Sequence, residues 1–186
     1  KEDRELFKQC LDELEEEGAI FKSKKNRYGA PDRMGLVAGK FQSHERGFGF
    51  LIPNDKEQND IFIQSDSVNG AMHGDSVIAR ITKSSSQSRK SEGEIVKILS
   101  RANEKIVGVF EKSHSIGYVI PDHKKIKGHI IVPVDKSMDA KENQKVIVKI
   151  IRYPEAERNA EGEIIEILGD IDQKGVDLLS ILRTYN

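Results

Sequence analysis

Three aromatic side chains in the stretch RGFGFLIPNDKEQNDIFIQ, residues 46–64, have types and spacing suited to one chemistry. Phe48, Phe50 and Phe62 are three of only seven Phe in the 186-residue chain. Side chains alternate across a strand, so all three rings are predicted to stand outside a sheet whose interior holds the aliphatic neighbours. Those neighbours are Leu51, Ile61 and Ile63. Exposed rings are costly unless covered, and stacked nucleic-acid bases would cover them, as would another domain.

Side chains close to this stretch could complete such a surface. Gln64 shares the predicted face of Phe62 and could hydrogen-bond a base edge. The sequence also places Phe41 near the surface, although its face depends on where the first strand begins. Three cations could follow a phosphate backbone, namely Lys40, Arg46 and Lys56.

The glycines Gly47 and Gly49 alternate with the aromatic residues, although glycine weakens a strand and packs nothing. We expect their missing side chains to let the strand curl tightly and to leave room for an approaching base.

An internal repeat predicts the domain organisation. Residues 93–99 (GEIVKIL) recur as 162–168 (GEIIEIL), an offset of 69 residues that also carries 61–63 onto 130–132. Each copy contains about five short β-branched runs bounded by turn residues, without a crossover helix. In the first copy these runs are 37–42, 47–52, 60–64, 76–82 and 93–99. This pattern predicts a mainly β protein with two tandem five-stranded barrels, at 36–101 and 102–170.

The segment before the repeat reads as a helix followed by a basic hairpin. Apolar residues at helical spacing predict a helix over 5–16 that ends at Gly18, and the single cysteine, Cys10, is interpreted as a small buried residue of that helix. The hairpin could lie along phosphates or be a solvated turn without a ligand. Its candidate contacts are Lys24, Lys25, Arg27 and Tyr28.

Composition excludes several classes of function. The net charge is only −1, so nucleic-acid binding would depend on local patches. No apolar run is long enough for a membrane span, no signal peptide opens the chain, and one cysteine suits a reducing cytoplasm. The polar stretch 83–91 predicts an exposed loop. No catalytic or metal-ligating constellation is recognisable, and Asp170, Asp172 and Asp177 are interpreted as loop and helix-capping residues.

The Gly-Phe-Gly-Phe and Ile-Phe-Ile motifs together resemble the paired ribonucleoprotein motifs of cold-shock domains, an OB-fold. The ordered set is similar to the N-terminal RNA-binding region of the ribonuclease R family of 3′→5′ exoribonucleases. It also includes Tyr28-Gly29, residues 34–37, Gly169-Asp170 and residues 175–181.

That resemblance implies a winged-helix tail at 1–35, two cold-shock barrels, and the start of a catalytic domain at 171–186. It implies that the chain is part of a longer protein and holds no catalytic residue. The Mg²⁺ of the family would be bound by aspartates of the catalytic domain that follows. The implied partners are single-stranded or structured RNA, with single-stranded DNA as a further candidate, and that catalytic domain.

The second repeat departs from the binding pattern. Ile116 replaces Phe48 and Ile131 replaces Phe62, so that only Tyr118 keeps an aromatic ring, aided by His129. We expect weak binding there, or a role in shaping the RNA path.

Two hypotheses follow. The first is a cytoplasmic module that binds RNA and delivers it to a nuclease centre. The alternative is a non-catalytic scaffold of tandem OB-folds that docks on a protein or on the ribosome. A hydrolase complete in this chain is disfavoured.

Overall fold

The computed structural model describes residues 2–23, 26–84, 90–113, 116–155 and 158–184. The chain divides into two compact units, Lys1–Ala102 and Asn103–Asn186, each of which contains one closed five-stranded barrel. The predicted mainly β fold with tandem OB-type barrels is therefore confirmed. The further division into four parts stays a prediction.

The first unit begins with helix α1 (Glu2–Glu16) and a two-stranded hairpin of β1 (Phe21–Lys22) and β2 (Tyr28–Gly29). The helix ends as predicted before Gly18, which has the left-handed φ of 75°. Lys97 of the barrel donates a hydrogen bond to Glu15 near this end.

The interpretation of Cys10 as buried is wrong, because its side chain is exposed. The apolar residues Leu6, Phe7 and Leu14 of the same helix are also exposed. An apolar stripe predicts a buried face only where another element packs on it.

The first barrel contains five strands: β3 (Leu36–Ser43), β4 (Gly49–Pro53), β5 (Ile61–Ile63), β6 (Ser76–Lys83) and β7 (Glu92–Ser100). Their order around the barrel is β3-β4-β5-β7-β6, closed by pairing of β3 with β6. All pairs are antiparallel except β5 with β7. Its buried core includes Phe41, Leu51, Ile61, Ile63, Val77, Ala79 and Ile95.

The second barrel contains β8 (Lys105–Ser113), β9 (Ile116–Pro121), β10 (Ile130–Val132), β11 (Gln144–Arg152) and β12 (Glu161–Asp170). It repeats the strand order of the first as β8-β9-β10-β12-β11, again with one parallel pair, β10 with β12. Phe110 occupies the place of Phe41, and both rings are fully buried.

The placement of Phe41 on the binding surface is therefore wrong. It pairs with Leu51 in the register of β3 and β4, and its ring points into the barrel. Lys40 and Gln42, its neighbours in β3, are exposed on the outer face. Side chains of a strand alternate between its two faces. An error of one residue in where β3 begins therefore moves Phe41 from the core to the surface.

The expectation about the glycines also requires correction. A Cβ on Gly49 would lie 2.4 Å from Cε2 of Phe41, and one on Gly117 would lie 2.5 Å from the same atom of Phe110. Gly49 therefore makes room for a core ring rather than for a base. Gly47 has a φ of 92° in the turn where its N–H donates to the carbonyl of His44.

The second unit ends in helix α2 (Val176–Thr184). Val176 and Ser180 are buried, whereas four large apolar side chains are exposed: Leu178, Leu179, Ile181 and Leu182. Asp170 ends β12, Asp172 lies in the following turn, and Asp177 lies in the first turn of α2. Among the described residues, no helix is long and apolar enough to cross a membrane.

Candidate nucleic-acid interface

The three aromatic rings predicted to share a surface form a triangle on the outer face of the first barrel. The centroid of Phe48 lies 6.1 Å from that of Phe50 and 5.5 Å from that of Phe62. The remaining pair, Phe50 and Phe62, is 5.6 Å apart. The neighbouring strand residues that point inward are buried, so the predicted separation of inside from outside is confirmed.

Strand register explains why Phe50 and Phe62 are neighbours in this triangle. Phe50 of β4 lies directly opposite Phe62 of β5 on one side and opposite Gln42 of β3 on the other. The rings are half-buried rather than fully exposed to solvent, because each packs against the other two at edge or tilted angles. Such angles are favoured between aromatic rings and hold a firm apolar platform.

Two residues that sequence reasoning missed extend the platform. The imidazole of His44 stacks on Phe48, with centroids 4.4 Å apart and ring planes 9° from parallel. The N–H of His44 donates to the carbonyl of Phe48, so one tight turn brings the two together. Lys90 places its Nζ 4.9 Å from the centroid of Phe50. That distance permits a cation–π contact of about 0.5–1 kcal/mol at an exposed site.

The predicted phosphate contacts occupy different parts of this unit. Lys40 is exposed on the outer face of β3, opposite Ile52 and therefore diagonal to Phe50. Arg46 is exposed in the turn after β3, where its N–H donates to Nδ1 of His44 at 3.2 Å. Lys56 is exposed in the loop between β4 and β5. Lys40 and Arg46 are thus adjacent to the aromatic residues in strand or turn, and Lys56 is adjacent in sequence.

Gln64, predicted to read a base edge, is exposed and already has a protein partner. Its Nε2 donates to Oε2 of Glu92 at 3.3 Å. The same carboxylate oxygen accepts from Nζ of Lys83 at 2.6 Å. The platform therefore has a mixed polar edge beside Phe62.

In the hairpin, Arg27 and Tyr28 are exposed, and Nζ of Lys22 lies 5.4 Å from the centroid of the Tyr28 ring. The N–H of Arg27 donates to Oγ of Ser23 at 3.2 Å, which orders the turn. The predicted contacts Lys24 and Lys25 lie outside the described residues.

The outer face of the second barrel has different chemistry. Tyr118 occupies the place of Phe50, and its ring centroid lies 5.3 Å from that of His129. Its hydroxyl donates to Oε2 of Glu111 at 2.8 Å. This hydrogen bond raises the pKa of Tyr118 above its ordinary value, because the deprotonated oxygen would face a carboxylate. Ile116, in the place of Phe48, is more than half exposed and contributes no ring.

In the ranges that the structure describes, no three His, Cys, Asp or Glu side chains converge to hold a metal ion. The family resemblance assigns Mg²⁺ to the catalytic domain that would follow, and that assignment stays a prediction. The chemistry available on the first barrel is stacking, ion pairing and hydrogen bonding to a bound polymer.

The family models that match this chain describe OB and cold-shock domains, in agreement with the two barrels. The family model described as Ribonuclease B OB domain matches residues 39–98, and the one described as Cold shock domain matches residues 118–186. Over its full length the chain is 32% identical to ribonuclease R of Thermotoga maritima, of which it covers 26%. The chain thus spans about a quarter of the length of that relative.

Solved structures share the fold at lower identity. Ribonuclease R of Mycoplasma genitalium in complex with ribose-methylated single-stranded RNA matches 78% of this chain and 23% of its own, with a TM-score of 0.69 and 18% identity. Yeast Ssd1, described as a pseudonuclease, matches 83% of this chain and 25% of its own, with a TM-score of 0.68 and 19% identity. One architecture therefore occurs in both a nuclease and a pseudonuclease, and the fold alone does not decide catalysis.

Proposed function

We propose that the first barrel binds single-stranded RNA on its aromatic face. The premise is that the sequence of the chain matches the N-terminal region of ribonuclease R, with its cold-shock and OB domains. The observation that carries the proposal is the triangle of Phe48, Phe50 and Phe62 on the outside of the barrel. Each base stacked on such a ring contributes ~1–3 kcal/mol without regard to its identity.

Electrostatics supports the same face. Lys40 and Arg46 are exposed beside the rings, and in the described residues neither forms an ion pair. Cations in this state can exchange counterions for RNA phosphates. The nearly neutral net charge limits attraction of RNA to the remaining surface, so binding concentrates where cations and rings coincide.

The wider role proposed is delivery of RNA to the nuclease centre of a ribonuclease R-type 3′→5′ exoribonuclease. The exposed apolar residues of α2 would contact the catalytic domain, which would hold Mg²⁺. Single-stranded DNA is proposed as a weaker or equal ligand, because stacking does not involve the 2′-hydroxyl. A reducing cytoplasm is the proposed location, consistent with the one free cysteine.

The direct test compares two paired substitutions by titration with a fluorescently labelled oligouridine. Phe48→Ala with Phe62→Ala removes two stacking partners and should weaken binding by at least about tenfold. The matched control, Ile116→Ala with Ile131→Ala, removes the corresponding aliphatic side chains of the second barrel and should leave affinity within about twofold of the unmodified chain. Equal losses in both pairs, or none in either, would overturn the assignment of the platform.

A non-catalytic scaffold that docks on protein is the second candidate, favoured by the exposed apolar face of α2. The same titration separates the candidates, because a scaffold would not bind oligouridine through the Phe triangle. Incubation of the 186-residue chain with labelled RNA and Mg²⁺ tests the absence of catalysis: the RNA should stay intact, and shortened products would refute the division of labour.

A further inference from the structure

A carboxylate lies beside the aromatic platform, although a surface for RNA phosphates gains nothing from negative charge. Glu92 of β7 is in parallel register with Phe62 of β5, and the N–H of Phe62 donates to the carbonyl of Ser91 at 2.8 Å. Register partners on adjacent strands project to the same face about 4.8 Å apart. Glu92 therefore stands at the edge of the ring on which a base would stack.

The hydrogen bonds of Glu92 leave one side of the carboxylate open. Lys83 and Gln64 both donate to Oε2, at 2.6 and 3.3 Å. Oε1 accepts no hydrogen bond from the described residues, and the side chain is 24% exposed. The amide of Gln64 has two N–H groups and uses one of them on Glu92. An acceptor and a donor thus stand side by side next to Phe62.

The second barrel shows which groups of this arrangement occur in both barrels and which occur only in the first. Arg152 and Glu161 form the equivalent ion pair across β11 and β12, at 2.9 Å. Ile131 is the register partner of Glu161, in the place of Phe62, and Pro133 stands in the place of Gln64. The ion pair is common to both barrels, whereas the ring and the amide occur only in the first.

We propose that Glu92 and Gln64 select guanine for the base stacked on Phe62. This inference depends on the RNA-binding function proposed above and adds sequence preference to it. Guanine presents two adjacent donors, N1–H and the 2-amino group, next to the O6 acceptor. The donors match the open Oε1 of Glu92, and O6 matches the second N–H of Gln64.

The other bases fit this pair of groups less well. Adenine and cytosine can donate one amino N–H to Oε1 and accept from Gln64 at the ring nitrogen, but they offer the carboxylate one donor where guanine offers two. Uracil presents one N–H between two carbonyl acceptors, so that one carbonyl faces Glu92 in either orientation. Adenine and guanine are both purines and stack through rings of the same size. A difference between their affinities therefore reports on the base edge and not on ring size.

The experiment measures affinities of the 186-residue chain for oligouridines that carry one central guanosine, adenosine or inosine. Guanosine should bind about tenfold tighter than adenosine, as expected for a well-matched pair of edge hydrogen bonds. Inosine, which lacks the 2-amino group, should lose part of that preference. Glu92→Gln keeps the size of the side chain but offers an amide, and should bring the guanosine-to-adenosine ratio close to one.

Two further variants keep the proposal falsifiable. Glu161→Gln breaks the matching ion pair in the second barrel and should leave the ratio unchanged. Lys83→Ala breaks the ion pair of Glu92 but keeps its carboxylate, and should also preserve the ratio. Circular dichroism of each variant confirms that the barrels remain folded.

The outcomes distinguish this inference from the function on which it rests. If oligouridine binds but guanosine gives no advantage, the inference is wrong and RNA binding stands. The same conclusion holds if Glu92→Gln leaves the ratio unchanged or weakens all oligomers equally. If no oligomer binds, RNA binding and guanine selection both fail.

Discussion

The two barrels share strand order, one parallel strand pair and a buried Phe packed on a Gly, yet their outer faces differ. Phe48, Phe50 and Phe62 form a triangle on the first, whereas the second keeps only Tyr118, which is hydrogen-bonded to Glu111. Inward positions are constrained by packing density, while outward positions are not. The comparison indicates that the repeated core specifies the barrel and that function depends on the side chains that alternate with it.

The largest effect should come from the shared core. Phe41→Ala and Phe110→Ala each remove a fully buried ring and should lower the free energy of unfolding of the affected barrel by ~3–5 kcal/mol. Urea denaturation followed by NMR signals of each barrel measures this. Phe50→Ala, which truncates a half-buried ring, should cost clearly less. A larger loss for Phe50→Ala would contradict the assignment of inside and outside.

A smaller loss is expected when the glycine against each ring gains a methyl group. Gly49→Ala would place Cβ 2.4 Å from Phe41, and Gly117→Ala would place it 2.5 Å from Phe110. Overpacking of this kind costs ~1–3 kcal/mol of unfolding free energy, measured by the same denaturation. Adding Phe41→Leu to Gly49→Ala should recover part of the loss. If no recovery occurs, the contact with the ring is not the reason for the glycine.

The difference between the outer faces can be tested by transfer. Ile116→Phe, Ile131→Phe and Glu111→Gln together give the second barrel the chemistry of the first. In a chain that also carries Phe48→Ala and Phe62→Ala, this triple change should raise affinity for oligouridine about tenfold through restored stacking.

A control for the transfer uses Leu instead of Phe at the two Ile positions, together with Glu111→Gln. It matches charge and apolar character without adding rings, so its affinity should stay at the level of the starting variant. An equal gain from Leu would show that charge or apolar area, rather than stacking, separates the barrels.

The smallest effect concerns Tyr118. Its pKa is raised above the ordinary value of 10.0, chiefly by the hydrogen bond to Glu111. Because the folded-state pKa is the higher one, the resulting stabilisation is complete below the unfolded pKa and is lost as pH rises through the folded pKa. Glu111→Gln should bring the pKa of Tyr118 back toward 10.0 in an NMR titration, with Tyr118→Phe identifying the signal. An unchanged pKa would remove Glu111 as the cause.

Much of this structure was predictable from the sequence. The 69-residue offset gave two copies of one unit, and turn residues bounded strands close to those observed. Alternation along residues 48–52 and 61–63 placed the Phe rings outside, because Leu51, Ile61 and Ile63 require the interior. The same offset carries Phe41 onto Phe110, and this signal could have placed Phe41 in the core.

Other features could not be read from local pattern. Lys90 reaches Phe50 only because β5 and β7 pair in parallel across the barrel, which no neighbouring residue indicates. His44 stacks on Phe48 through the geometry of one turn. The exposure of Cys10 depends on what packs against α1, which helical spacing does not specify.

Lys90 lies over Phe50, so this ring already has a cation as a partner before a ligand binds. A base that stacks there must share the ring with an ammonium group or release it, and a released Lys90 is free to meet a phosphate. The protein then exchanges one weak attraction for another, so the net gain at Phe50 is smaller than the contact in the complex would suggest. Phe62 carries no such resident cation in the described chain, and a newly arrived base gains the whole contact there.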